Sequence, residues 1–124
     1  MLIIDDNVDA CDLYRELFEE FFQDVDIAHD GAAALAKAAG TESYDVAIVD
    51  IGLPDMDGYD LAPALRSTPS GGRFVLVAIT GYARSDDRER ALAVGFDLHV
   101  PKPVTDIRAL GRELAHLVEK RRHG

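Results

Sequence analysis

Five polar side chains in this sequence are of the types that hold a cation and a phosphoryl group. They are an acidic pair, a lone aspartate, a threonine and a lysine: Asp5, Asp6, Asp50, Thr80 and Lys102. Clustered carboxylates repel one another unless a cation or a proton intervenes. Because the ligands on offer are oxygens, with no His or Cys beside them, the expected cation is hard, and Mg²⁺ suits a site with few carboxylates. Asp6 and Asp50 are the preferred ligands, and Asp5 binds the ion directly or through another group.

A carboxylate can also attack phosphorus, which gives an aspartyl phosphate. In such a site Mg²⁺ and Lys102 would neutralise the phosphoryl oxygens, and the Thr80 hydroxyl would donate a hydrogen bond to one of them. Each residue also has a plain structural interpretation, as a turn residue, a strand end or a solvated charge. The combination favours a site, because chance rarely places these side chains at the ends of four strands in one short chain.

The candidate site residues stand at the ends of predicted strands. Five short apolar runs rich in β-branched residues have the composition of strands, and they cover residues 2–4, 26–28, 46–49, 74–79 and 98–100. The site residues follow in this order: Asp5 and Asp6 end the first strand, Asp50 the third and Thr80 the fourth, and Lys102 comes after the fifth.

Helical apolar spacing occupies the segments between the strands. The clearest segments cover residues 8–22, 31–39, 85–95 and 104–118. Asp30 is a suitable cap for the second helix, Ser85 opens the fourth, and Gly40 and Gly95 end them. Pro63 falls inside the third helical segment, where it removes a backbone hydrogen bond and predicts a kink.

Five strands alternating with five helices predict an α/β domain with a doubly wound, parallel five-stranded sheet in the flavodoxin-like order 2-1-3-4-5. Pro101 ends the fifth strand and has no N–H to donate, which indicates an edge strand. In such sheets, ligands bind outside the carboxyl ends of the strands, where neighbouring crossovers diverge. We therefore expect the five candidate residues to converge at that end.

Length and composition narrow the function further. A chain of 124 residues, 48% of them hydrophobic, has the size and composition of one globular domain over residues 1–124. Its formal charge of -10 opposes direct binding to nucleic acid and to anionic lipid. The single cysteine, Cys11, cannot form an internal disulfide, and there is no export leader or long apolar run. A cytoplasmic protein without membrane insertion is expected.

Four motifs together have a familiar pattern. They are Ile4-Asp5-Asp6-Asn7, the run from Val49 to Gly58, Ala78-Ile79-Thr80-Gly81, and Gly95-Phe96-Asp97 with Lys102-Pro103. Over essentially its whole length the chain resembles the receiver domains of two-component response regulators, the CheY-like superfamily. The resemblance implies a phosphoacceptor aspartate, a metal-binding acid pair, a hydroxyl switch and a phosphate-pairing lysine.

The resemblance assigns these roles to particular positions. Asp50 would be the phosphoacceptor, Thr80 the hydroxyl switch and Lys102 the phosphate-pairing lysine. Asp5 and Asp6 would form the acid pair for Mg²⁺. The backbone carbonyl of Gly52 would be a further metal ligand, and the Lys102-Pro103 peptide bond would be cis.

One position departs from the usual family pattern. Where many members carry Tyr or Phe as the switch aromatic of the fifth strand, this chain has His99. In this and in Thr80-Gly81-Tyr82 it is most similar to the receivers of hybrid sensor histidine kinases. Burial favours the neutral form of an imidazole. Either His99 moves inward when Asp50 is phosphorylated, or it stays exposed on an edge strand with no coupling.

The resemblance implies a signalling module and not an enzyme with a separate substrate. It would take a phosphoryl group from a histidine kinase or a histidine phosphotransfer domain, with Mg²⁺-dependent self-phosphorylation and self-dephosphorylation only.

Partners would dock near the first helix and the Lys102-Pro103 loop, where Gly81 leaves room and Tyr82 shields the acyl phosphate. The switch would change the face of the fourth helix, fifth strand and fifth helix. A fused or separate output domain and a phosphorylation-dependent homodimer are left open.

Three alternatives stand beside this interpretation. An aspartate-nucleophile phosphatase would need a general acid or base near Asp50, whereas His29 and His116 are expected at the surface. A flavodoxin-like cofactor binder would need a Gly-rich phosphate loop after the first strand, which is missing from the sequence. An unphosphorylated docking module would be expected to have a broken acid cluster, and here every matched position is filled.

Overall fold

The strands of the sheet lie where the apolar runs predict them. They are β1 Leu2–Ile4, β2 Asp26–Ala28, β3 Val46–Asp50, β4 Val75–Thr80 and β5 Leu98–Pro101. All neighbouring pairs are parallel, and the order is β2-β1-β3-β4-β5, which confirms the predicted topology. This computed structural model describes residues 1–40, 44–68, 75–81, 85–102, 104 and 106–123. Phe74, which was predicted to begin the fourth strand, lies outside these residues.

Helices connect the strands on both faces of the sheet. They are α1 Val8–Phe18, α2 Gly31–Ala38, α3 Gly58–Arg66, α4 Ser85–Ala93 and α5 Ile107–His123. The side chains of Asn7, Asp30 and Asp57 cap α1, α2 and α3 by accepting a hydrogen bond from a backbone N–H in the first turn. Short polar side chains at these positions explain where the helices begin. Among the described helices, none is both long and apolar enough to cross a membrane.

Helices α1 and α5 differ most from the predicted segments, and α5 also continues beyond the predicted end, to His123. α1 ends at Phe18, although the apolar spacing continues to Phe22. The amides of Phe21 and Phe22 both donate to the Phe18 carbonyl at 2.9 Å in the turn that follows, and Phe22 still packs against the core. α5 begins at Ile107 and not at Val104, which nevertheless packs against the same core. Apolar periodicity reports which side chains are buried, and a turn can bury them as well as a helix.

Pro63 and Pro101 lie in the predicted elements. Pro63 is inside α3, and the kink expected there stays a prediction. Pro101 ends β5 at the edge of the sheet, as expected for a residue that cannot donate to a ladder. Beyond it, the amide of Lys102 donates to the carbonyl of Thr80 at 2.7 Å. This bond ties Lys102 to the end of β4.

The core forms two layers, one on each face of the sheet. Helices α2, α3 and α4 cover one layer, to which the strands contribute residues such as Val49 and Ala78. Helices α1 and α5 cover the other, which contains Ile48 and Val77. Every residue of β3 and β4 is buried, as expected for the centre of a parallel sheet. The polar residues that end these strands are thereby held on a rigid support.

Candidate metal and phosphoryl site

Three carboxylates meet at the carboxyl end of the sheet. Asp5 and Asp6 directly follow β1, and Asp50 ends the neighbouring strand β3. The register pairs Ile4 of β1 with Val49 of β3, so Asp5 and Asp50 are the next residues along these two neighbouring strands. One oxygen from each carboxylate lies within 4.8 Å of the other two. The structure therefore brings together the three acids that the sequence predicted to converge.

The electrostatics of this cluster disfavour the ionised form of Asp5. Its side chain is buried, as is that of Asp50, whereas Asp6 is exposed. Burial raises the pKa of Asp5, and the negative charge of Asp50 adds to the rise, although a hydrogen bond from the Asn7 amide works against it. That amide lies 2.9 Å from Asp5 Oδ1. A cation bound among the three carboxylates would remove the penalty.

Lys102 supplies positive charge to the cluster. Its Nζ lies 3.2 Å from Asp50 Oδ2, and the Gly52 amide donates to the other oxygen, Asp50 Oδ1, at 3.1 Å. Each oxygen of the Asp50 carboxylate therefore has a donor. Partial burial acts to lower the pKa of Lys102, but the charges of Asp50 and Asp5 outweigh it and raise the pKa. The ammonium form is favoured in the site.

Thr80 and His99 lie on one face of the sheet beside the acids. Thr80 is 3% exposed and follows Ile79, the residue that pairs with Asp50. His99 pairs with Ala78, two residues before Thr80, and side chains two residues apart in a strand lie on the same face. The His99 Nε2 is buried and has no hydrogen-bond partner among the described residues. The predicted switch pair therefore shares one layer of the protein.

Two residues behind Asp5 were missed by the sequence analysis. His29 Nδ1 lies 3.0 Å from the Asp5 carbonyl oxygen, and Cys11 Sγ donates to the same oxygen at 3.3 Å. Burial and then the neighbouring acids raise the pKa of Cys11 to about 11, so the thiol stays protonated. Both contacts are with the backbone carbonyl of Asp5 and not with a carboxylate of the acid cluster. Strand register was the available signal, because Ile4 pairs with Ala28, just before His29.

Three further predictions concern the rim of the site. A Cβ built on Gly81 would meet no atom of the described residues within 4 Å, which fits the predicted open space beside Thr80. The cis peptide bond before Pro103 and the shielding role of Tyr82 fall on residues outside those that the structure describes.

Comparison with known proteins identifies the family. The profile of the response regulator receiver domain matches residues 1–114, and the chain therefore belongs to the response regulator receiver domain family of two-component signalling. An uncharacterized 14.6 kDa protein from Leptolyngbya boryana is 33% identical over 120 residues, which cover 97% of this chain and 87% of that protein. The sensor histidine kinase GacS of Pseudomonas protegens is 32% identical over 123 residues, which cover 97% of this chain but 13% of GacS. The predicted similarity to sensor-kinase receivers is confirmed.

Solved structures confirm the CheY-like fold. A CheY-like receiver domain protein from Methanospirillum hungatei superposes with a TM-score of 0.86 at 29% identity, covering 98% of this chain and 94% of that one. A response regulator from Burkholderia pseudomallei, solved with a phosphorylated aspartic acid, a calcium ion and citrate, superposes with a TM-score of 0.76 at 28% identity, covering 98% of this chain and 71% of that one.

Proposed function

We propose that this chain accepts a phosphoryl group on Asp50 from a histidine kinase or a histidine phosphotransfer domain. The observation that carries the proposal is the setting of the Asp50 carboxylate, which shares a pocket with two other acids and lies 3.2 Å from Lys102 Nζ. Such a setting supplies both a nucleophile and charge for the phosphoryl oxygens. The phosphorylated aspartic acid of the Burkholderia pseudomallei protein supports the same chemistry here.

The acidic pocket fits Mg²⁺. Its carboxylate oxygens lie within 4.8 Å of one another, and hard oxygen donors are the ligands that this ion prefers. Burial and then the charge of Asp50 raise the pKa of Asp5, and a bound cation would favour its ionised form. Asp5, Asp6 and Asp50 are the proposed ligands, together with the backbone carbonyl of Gly52. Bound Mg²⁺ would neutralise negative charge on the phosphoryl oxygens.

The transfer itself is a substitution at phosphorus. An oxygen of Asp50 forms a bond to phosphorus while the bond from phosphorus to the donor imidazole breaks, and the donor nitrogen keeps the electron pair. Lys102 neutralises the phosphoryl oxygens, and the Thr80 hydroxyl donates a hydrogen bond to one of them. Water later hydrolyses the acyl phosphate to the carboxylate and inorganic phosphate. The chain thus carries the phosphoryl group on its own Asp50 and acts as a signalling module.

The phosphorylated state is proposed to be signalled through Thr80 and His99. When the Thr80 hydroxyl turns toward the phosphoryl group, it frees space on the face that His99 shares. Among the described residues, none forms a hydrogen bond with the His99 Nε2, so no such bond would have to break when the ring moves. The surface of α4, β5 and α5 changes shape as a result. An output domain, fused or separate, or a second copy of the chain would bind that surface.

The phosphoryl donor is proposed to dock on α1 and the chain around Lys102. Val8, the first residue of α1, and Leu13 are large apolar residues that are about half exposed, so this helix offers apolar side chains for contact with another protein. The acidic surface makes direct binding of nucleic acid unfavourable. We also propose that residues 1–124 form one receiver domain that works in the cytoplasm.

Labelling by a small phosphoryl donor tests the assignment of Asp50. Incubation with acetyl phosphate or phosphoramidate and Mg²⁺ should add one phosphoryl group per chain, as measured by intact mass spectrometry. Asp50→Asn should remove the labelling, because the amide is a poor nucleophile, whereas Asp24→Asn, at an exposed position, should be labelled normally.

The same measurement separates the alternatives. Equal labelling of Asp50→Asn would overturn the assignment. A wild-type chain that never labels would indicate an unphosphorylated docking module. Continuous turnover of the donor without accumulation of the labelled chain would indicate an aspartate-nucleophile phosphatase.

A further inference from the structure

The loop between β3 and α3, residues 51–57, carries Gly52 and is closed at its base. The amide of Gly58 donates to the carbonyl of Ile51 at 3.1 Å, and the amide of Ile51 donates to Ile79 of β4 at 3.0 Å. A Cβ on Gly58 would lie 2.7 Å from the Ile51 Cα. The base of this loop is therefore fixed to the sheet by its own backbone.

The far end of the loop is attached to a different element, the N-terminus of α2. Asp55 Oδ1 accepts a hydrogen bond from the Gly31 amide at 2.9 Å, and Asp55 Oδ2 accepts one from the Ala32 amide at 3.1 Å. Amides in the first turn of a helix have no partner within the helix. The hydrogen bond from the Gly31 amide is the main reason that the pKa of Asp55 is lowered, so Asp55 binds the helix in its ionised form.

A second contact supports this attachment. A Cβ on Gly31 would lie 2.5 Å from the Sδ of Met56, so the side chain of Met56 rests directly on the glycine. Met56 is also packed against the core layer of α2 and α3. Asp55 thus holds the end of the loop by two hydrogen bonds, and Met56 holds it by an apolar contact.

Gly52 lies between the two fixed points of this loop. Its amide donates to Asp50 Oδ1, and its carbonyl belongs to the ligand set proposed above. We propose that Asp55 is a positioning residue for the phosphoryl site: by binding the first turn of α2, it holds Gly52 in place against Asp50. This inference rests on the proposed function, because the site that Gly52 serves is the proposed Mg²⁺ site.

Asp30 offers a matched control. Its Oδ1 accepts a hydrogen bond from the Ala33 amide at 2.7 Å at the same end of α2. Asp30→Ala therefore removes one acidic cap from the same helix, as Asp55→Ala does, but leaves the β3–α3 loop untouched. Gly31→Ala is the complementary variant, because it displaces Met56 without changing any charge.

Two measurements test the inference in protein that circular dichroism shows to be folded. Hydrogen exchange of the Gly52 amide, followed by NMR without metal, should be faster in Asp55→Ala and in Gly31→Ala. Calorimetry should show the Mg²⁺ dissociation constant rising by about tenfold in both. Asp30→Ala should leave both quantities at the wild-type values.

The outcomes are distinct for the two proposals. Wild-type Gly52 exchange in Asp55→Ala, or an equal effect of Asp30→Ala, would overturn the role of Asp55. A wild-type chain that neither binds Mg²⁺ nor accepts a phosphoryl group would overturn the proposed function. In that case Gly52 exchange would still decide whether Asp55 holds the loop.

Discussion

The ammonium group of Lys102 and the carboxylate of Asp50 form an ion pair across the end of β4, with Nζ 3.2 Å from Oδ2. The lysine side chain is 36% exposed and that of Asp50 is 10% exposed, so only one partner is well hydrated. Lys102 is therefore the counter-ion of the proposed nucleophile before any phosphoryl group arrives. Mg²⁺ and Lys102 would then compete for the charge of the same carboxylate.

Lys102→Ala should separate phosphorylation from metal binding. Labelling by acetyl phosphate should slow by about 100-fold, because one donor to the phosphoryl oxygens is lost. Mg²⁺ affinity should stay equal or rise, since the competing ammonium group is gone. Intact mass spectrometry gives the rates and calorimetry the affinities, with Lys120→Ala at an exposed position of α5 as the control. Normal labelling of Lys102→Ala would exclude the proposed role.

The acidic pocket makes stability depend on pH. Folding raises the pKa of Asp5, chiefly through burial, so the folded state holds this proton more tightly than the unfolded state. The resulting stabilisation is fully present below the unfolded pKa and is lost as the pH rises through the folded pKa. At neutral pH without a cation, ionised Asp5 therefore disfavours folding.

Asp5→Asn should raise the free energy of unfolding by about 1 kcal/mol at neutral pH without Mg²⁺. It should have little effect below the unfolded pKa of a carboxyl group, where Asp5 is protonated in both states. The Asn side chain keeps an oxygen for the Asn7 amide. Mg²⁺ should stabilise the wild type more than the variant, because it binds the folded carboxylates.

Urea unfolding at both pH values, with and without Mg²⁺, measures this effect. Asp24→Asn removes an exposed carboxylate and should change stability little under any of these conditions. If Asp5→Asn stabilised the chain equally at low and neutral pH, loss of charge could not be the reason.

The sheet and the site residues were predictable because local patterns determine them. Apolar runs located the strands, and the ends of parallel strands meet at one edge of a sheet, so Asp5, Asp50 and Thr80 had to converge. The Asp30 cap was also visible, since its hydrogen bond spans three residues. Such features need only neighbours in sequence or the topology of the sheet.

Other contacts were not predictable, because they join distant parts of the chain. The bond from Gly31 to Asp55 spans 24 residues, and nothing in the composition of either segment identifies the partner. His29 reaches the Asp5 carbonyl across the pairing of β1 and β2, so only the register of these two strands could have identified that contact. The end of α1 was missed for another reason, since Phe22 keeps the helical apolar spacing and packs against the core from beyond the end of the helix.

The buried Nε2 of His99 has no hydrogen-bond partner in the part of the chain that the structure describes, and this predicts a stabilising substitution. His99→Phe should raise the free energy of unfolding by about 1 kcal/mol, because it removes a desolvated polar atom. His116→Phe, on the exposed side of α5, should change it by less than about 0.5 kcal/mol. Chemical denaturation of the two variants provides the comparison. A loss of stability in His99→Phe would indicate that Nε2 has a favourable interaction.

The motion of the same ring tests the proposed switch. Beryllofluoride with Mg²⁺ mimics a bound phosphoryl group, and it should change the imidazole resonances of His99 and their contacts with Thr80 in NMR spectra. The resonances of His116 are the internal reference. An unmoved His99 ring in the presence of the bound mimic would show that it lies on an edge strand without coupling to Asp50.

The buried thiol of Cys11 gives the protein a native reporter of motion behind its acidic pocket. Alkylating reagents react with the thiolate. Cys11 is fully buried, and its raised pKa of about 11 keeps the thiol protonated at neutral pH. Modification therefore requires α1 to move away from the sheet, and its rate measures how often that opening occurs. Because the chain has a single cysteine, the signal comes from one place, directly beneath Asp5. Whether a cation or a phosphoryl group tightens that region can then be followed in the unaltered sequence, by the reactivity of a side chain that takes no part in the transfer.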